Sequence, residues 1–182
     1  MLRPTDNLRS DHSVVTLGLS VLAAMARRVR SGGAFPAAEV AVVLRFLREF
    51  VLAIHMRKEN DHVCPAVAMR GDDRAATLVG ELLRMHEEAR DLVHALVLFW
   101  EPVGDLSIAE REGFADAAEA LVARTLRMQA IEEAQLFPAC DAVVPPDDQL
   151  DWITAFEQLE TERGSRAVWS RRIGDLARNW LA

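Results

Sequence analysis

The sequence predicts an all-α protein: an up-down-up-down four-helix bundle with additional C-terminal helices. Three observations carry that expectation. Apolar residues recur three and four apart through four long stretches, the spacing of one helix face. Glycine and proline are few and gather between those stretches. Ala, Leu, Val, Arg and Glu dominate while Tyr is absent, a balance that favours helix over sheet. At 182 residues, about half of them apolar, the chain has enough material for one well-filled core.

The first helix is expected to start near Asp6 or Asn7, either of which can cap it, and to run to about Arg30, where Ser31-Gly32-Gly33 ends it. Leu8, His12, Val15, Leu19 and Leu22 form its inner face. The second opens at Phe35-Pro36, with the proline at the first helical position, and continues to about Val63, before Pro65 interrupts the hydrogen-bond ladder. Its stripe holds Leu44, Leu47, Val51, His55, Glu59 and His62. A break at Gly71 and a start at Asp72-Asp73 lead into the third helix, with a seam of Leu82, His86, Ala89, Val93, Leu96 and Trp100, stopping at Glu101-Pro102-Val103-Gly104. Ser107 with Glu110 three residues on is a capping box for the fourth. That helix presents Phe114, Ala118, Leu121, Thr125, Met128 and Glu132 on one face and ends by Pro138.

Val143-Val144-Pro145-Pro146 reads as a linker, so residues 1–144 form the bundle and 145–182 a C-terminal helical extension. Asp147-Asp148 caps a helix with Trp152, Phe156 and Leu159 on its apolar face, and Gly164-Ser165 breaks it. A last amphipathic stretch uses Val168, Trp169, Ile173, Leu176, Trp180 and Leu181. This extension is expected to pack across the bundle or onto a second subunit, as in a homodimer.

The net charge of −7, with basic residues spread along the chain, gives no footprint for nucleic acid. Cys64 and Cys140, far apart, do not make a disulfide framework. The N-terminal MLRPTDNLRSDH turns polar at once, and no apolar run is long enough to span a membrane, so the expected location is the cytoplasm.

The chemistry lies in the seams. His55 and Glu59, four apart, share one helix face one turn from each other. His12 lies near the start of the first helix, His55 and Glu59 near the end of the second, His86 in the first half of the third, and Glu132 near the end of the fourth. In an up-down-up-down bundle these positions fall toward one end. Carboxylates in a seam of Leu, Val and Ala are costly unless paired or bound to a cation. Imidazole with carboxylate suits iron, manganese or zinc. There is also an internal repeat: HMRKENDHVCP (55–65) and MQAIEEAQLFP (128–138) align without gaps, with Glu fifth and Pro eleventh in each.

The order of a His on the first helix, His-x-x-x-Glu on the second, a His on the third and Glu-Glu-x-x-Leu-Phe-Pro on the fourth resembles the hemerythrin-like, HHE cation-binding family. The resemblance covers about residues 6–140 and extends weakly into DDQLDWITAFEQLETER. It implies a four-helix bundle binding two non-haem irons. His12 and His55 would terminate one iron, Glu59 and Glu132 would bridge, and His86 would serve the other. The family's fourth helix normally offers His-x-x-x-Glu, and Met128 stands where that His belongs. The second position is then weakened, or a water, Glu133, the amide of Gln129 or another group fills the gap.

The implied role is handling or sensing of dioxygen, peroxide, nitric oxide or iron at a mono- or di-iron site. The residues name no catalytic group. Met128 favours a rival reading, a helical interaction module whose metal site has decayed, and metal content discriminates the two. A hydrolytic metalloenzyme would need a positioned acid or base that the sequence does not offer. His62 reads as a supporting or structural residue, His94 as a non-ligand because it is rotated off the seam of His86, Cys64 and Cys140 as buried inert thiols, and Trp100, Trp152, Trp169 and Trp180 as packing residues.

Overall fold

The computed structural model describes residues 3–100 and 106–182, the side chains of Phe99, Trp100 and Arg163 excepted. The expected stop at Glu101-Pro102-Val103-Gly104 and the packing of Trp100 lie outside the described residues. Among the described residues all regular structure is helical: α1 (Pro4–Arg30), α2 (residues 37–70), α3 (Asp73–Trp100), α4 (residues 108–143), α5 (Pro146–Arg163) and α6 (Arg166–Trp180).

α1 starts earlier than Asp6. Pro4 presets the first turn, and the Asp6 carboxylate reaches back to accept from the Arg3 N–H at 3.0 Å. Gly32, at φ +84°, makes the left-handed turn that ends the helix region. Pro36 flanks α2 rather than opening it, and Ala37 is the first helical residue. Asp72 caps α3 by accepting from the Ala75 N–H at 2.8 Å, and the Ser107–Glu110 capping box forms at the start of α4.

The two prolines do not end their helices. α2 continues through Pro65 to Arg70, and α4 through Pro138 to Val143. In each case a five-residue π-helical turn precedes the proline: Glu59–Val63 in α2 and Glu132–Leu136 in α4. The wider turn shifts the ladder, so that each proline falls in the first turn of a fresh α-helical segment, where its missing N–H is tolerated. Both segments, Cys64–Arg70 and Phe137–Val143, are seven residues long. The sequence repeat is therefore a structural repeat, and its fifth-position glutamates are the first residues of the two π turns.

The ends of the helices fix their directions. Arg3 and Thr5 at the start of α1 bond Asp141 near the end of α4, while Arg30 at the end of α1 pairs with Asp116 and Glu119 near the start of α4. α1 and α4 are thus antiparallel, and α2 and α3 complete the bundle. The predicted seams are buried throughout their described lengths, apart from half-buried His62. Val144-Pro145 links α4 to α5, with Pro146 opening the helix and Asp147 and Asp148 in its first turn rather than before it. α5 lays Phe156 into the core over α2, and α6 runs beside α1 with Trp169 against Phe46 at 5.7 Å. The C-terminal helices pack on the bundle of their own chain. Val168 and Leu181, expected on the apolar face, are exposed.

One close approach sets the α1–α2 spacing. A Cβ added at Gly18 would meet the Phe46 ring at 2.4 Å. That ring is fully buried between Phe50 and Trp169 and has nowhere to turn. Gly18→Ala is expected to destabilise the protein by about 1–3 kcal/mol, read as a lowered thermal midpoint.

Candidate metal centre

α1 contributes His12, α2 His55 and Glu59, α3 His86 and α4 Glu132, and the fold brings all five together. None is more than 3% exposed. Two donor atoms bound at about 2.1 Å to one cation lie roughly 3 Å apart when adjacent and about 4.2 Å apart when opposite. The separations here fall in that range: His86 Nε2 is 3.0 Å from Glu132 Oε1 and 3.4 Å from Glu59 Oε2. His12 Nε2 is 3.3 Å from Glu132 Oε2 and 4.0 Å from Glu59 Oε1, and His55 Nε2 is 3.7 Å from Glu59 Oε2. One donor atom each of His12, His55, Glu59 and Glu132 lies within 4.8 Å of the others. The two oxygens of Glu132 face different imidazoles, His12 on one side and His86 on the other, which is the disposition a bridging carboxylate needs.

The polar accounting supports a cation. His12 Nε2, His55 Nε2, both oxygens of Glu59 and Oε2 of Glu132 are buried without a hydrogen-bond partner. Such groups are rare in folded proteins unless something absent from the chain satisfies them. The outward ring nitrogens of His12 and His86 are already engaged, whereas His55 Nδ1 has no hydrogen-bond partner. His12 donates from Nδ1 to Glu133 Oε1 at 2.8 Å and His86 from Nδ1 to Asn60 Oδ1 at 2.7 Å, while Asp11 Oδ2 faces His55 Nδ1 at 3.6 Å. Held from Nδ1, the rings of His12 and His86 turn their Nε2 atoms inward, the arrangement in which a second layer of groups orients metal ligands. The residues fit a divalent or trivalent cation with nitrogen and oxygen ligands.

Without a cation the two carboxylates are forced apart in acidity. Burial, with the charges of Glu132 and Asp11, pushes Glu59 well above the usual carboxylate range. Burial would raise Glu132 too, but the close His12 and His86 rings, with their charges, outweigh it and hold Glu132 at about 2. Burial lowers His55 despite Asp11, whereas in His12 it is outweighed by Glu132 and Glu133, and that ring is raised.

Several participants were missed in the sequence. Lys58 is fully buried, donating to Asn7 Oδ1 at 2.9 Å, Asp11 Oδ2 at 2.8 Å and Glu160 Oε1 at 2.7 Å. Arg166 donates to Asp11 Oδ1 at 2.8 Å. The C-terminal helices thereby reach the support of His55. The signal was a charged or polar residue directly beside three of the candidate ligands, His12, Glu59 and Glu132: Asp11, Lys58, Asn60 and Glu133. Glu133 accepts from His12 through Oε1. His62 packs between Trp152 and Phe156 of α5, His94 is exposed, and both cysteines are buried thiols that burial pushes upward, Cys140 to about 12. No helix among the described residues is long and apolar enough to cross a membrane.

An antiparallel four-helix bundle whose core gathers three imidazoles and two carboxylates with unsatisfied inward atoms defines a metal-binding bundle. The chain belongs to the hemerythrin HHE cation-binding domain family, whose sequence model matches residues 3–140. No curated protein and no solved structure matches it.

Proposed function

We propose that the protein binds non-haem iron in the cytoplasm, at one position through His12 and His55 and at a second through His86, with Glu59 and Glu132 shared, and that it handles or senses dioxygen, peroxide, nitric oxide or iron itself. The observation that carries this is the convergence of five buried, unpartnered atoms from four residues at one place in the core, with His86 beside them. Manganese or zinc would suit the same donors. Bound iron supplies a redox-active ion with open coordination positions. The chain's own part is to hold the imidazoles by Glu133, Asp11 and Asn60, and to keep water out of the centre, where Phe137 lies 5.3 Å from the His12 ring. Two unpaired thiols agree with a reducing compartment.

The two positions are unequal. The first has two imidazoles and both carboxylates. The second has one imidazole, because buried Met128 lies one turn before Glu132 and a thioether is a poor ligand for ferric iron. The test is iron per chain before and after mild chelation. One retained and one readily lost ion are expected, and Met128→His should slow the loss of the second roughly tenfold. Two equally retained ions, unaffected by the substitution, would mean that another group completes the second position. A chain holding no metal would favour the decayed scaffold.

A further inference from the structure

We propose that Gln129 donates a hydrogen bond from its side-chain Nε2 to the small lone-pair-bearing ligand, such as azide or a diatomic, taken up at the centre. The inference rests on the metal reading above. Gln129 is buried on α4, three residues before Glu132. Its Oε1 accepts from Thr16 Oγ1 at 3.1 Å, and Thr16 lies one turn after His12 on α1. Thr16 is exposed, so the carbonyl end of the amide is tied to the rim between α1 and α4. The NH2 end is left on the buried side, and Nε2 has no partner.

Every other buried side-chain atom without a partner among the described residues belongs to His12, His55, Glu59 or Glu132. Those are the candidate ligands and their rings. An amide nitrogen is not a metal ligand, because its lone pair is delocalised into the carbonyl, and it offers only protons. Gln129 lies one turn from Glu132 on α4, and a buried donor there can serve what binds to the ion rather than the ion. A buried donor left unmatched is costly, and a ligand that gains negative charge on binding satisfies it best. The centre should therefore favour strongly accepting ligands over weakly accepting ones of equal size.

Azide binding to the iron-loaded full chain provides the test. In Gln129→Leu, iron per chain should be unchanged and the azide Kd should rise about tenfold, the effect of one hydrogen bond to a charged acceptor. The shift of the azide stretch between H2O and D2O should be lost. The metal-free variant should melt no lower than the metal-free parent, since it buries one unmatched donor fewer. Thr16→Val, at an exposed position that leaves the core intact, frees the amide to rotate and should lose part of the same affinity. Unaltered azide affinity and isotope shift in both variants would overturn the proposal. Loss of iron in Gln129→Leu would also overturn it, by showing that the amide oxygen is a ligand, while leaving the metal reading intact. A parent protein that takes up no iron overturns both.

Discussion

Glu59→Leu is expected to remove nearly all bound metal and, in the same substitution, to stabilise the metal-free chain. Both oxygens of Glu59 are buried without a partner, and burial and the neighbouring carboxylates hold the group well above its usual range. Exchanging such a carboxylate for an apolar side chain of similar size stabilises by about 1–3 kcal/mol. Glu132→Ala should also lose the metal, but with the opposite effect on the apo chain. Glu132 takes contacts from His12 and His86, and its removal leaves both imidazoles facing an apolar gap, at about 1–3 kcal/mol. The measurements are metal content and chemical denaturation of the stripped proteins, with His94→Ala as the exposed control that keeps its metal. The pH dependence follows in sign. A carboxyl raised in the folded state stabilises below its unfolded pKa, and that contribution disappears as pH rises through the folded value. The apo parent should lose stability on going from acid toward neutral pH on this account, and Glu59→Leu should not. If both substitutions leave metal content intact, the ligand assignment is wrong.

Asp11→Ala is expected to cost about 3–5 kcal/mol, the largest single loss outside the apolar core. Its carboxylate accepts from Lys58 and Arg166 and faces His55, and its removal leaves the fully buried Lys58 ammonium short of a counter-charge. Burial raises Asp11, but the contacts with His55 and the charge of Lys58 outweigh it and bring the group to about 2. A carboxylate lowered in the folded state stabilises above its unfolded pKa of 3.8, and the contribution, about 2 kcal/mol, fades as pH falls from there through about 2. The variant should lack this acid-limb loss. Denaturation midpoints across that window check it. A variant as stable as the parent at neutral pH would show that Asn7 and Glu160 suffice for Lys58.

The seams and the buried cluster were legible because burial imposes a 3.6-residue rhythm, and His12, His55, Glu59, His86 and Glu132 interrupt an apolar pattern at matching depths. The ends of α2 and α4 were misplaced because the proline rule assumes an unbroken α ladder, and a π turn lifts that assumption. Asp11, Lys58 and the pairing of Glu133 with His12 were invisible for a different reason. A residue next to a ligand points about 100° away around the helix, and only the neighbouring helix decides whether it meets solvent or a partner. Lys58 in particular depends on Glu160, one hundred and two positions later, which no periodicity announces.

The two π turns also carry a consequence for chain length. Each is in effect one residue that an α-helix has absorbed without losing its direction. Deleting a residue between Asn60 and Val63, or between Glu133 and Leu136, would restore an ordinary helix and rotate everything beyond by about 100°. Cys64 and Val67 would turn out of the core in one case, and Phe137 away from His12 in the other. The glutamate that opens each turn and the proline after it are thus held at a fixed count, and the spacing between them is as much a part of the centre as the candidate ligands themselves.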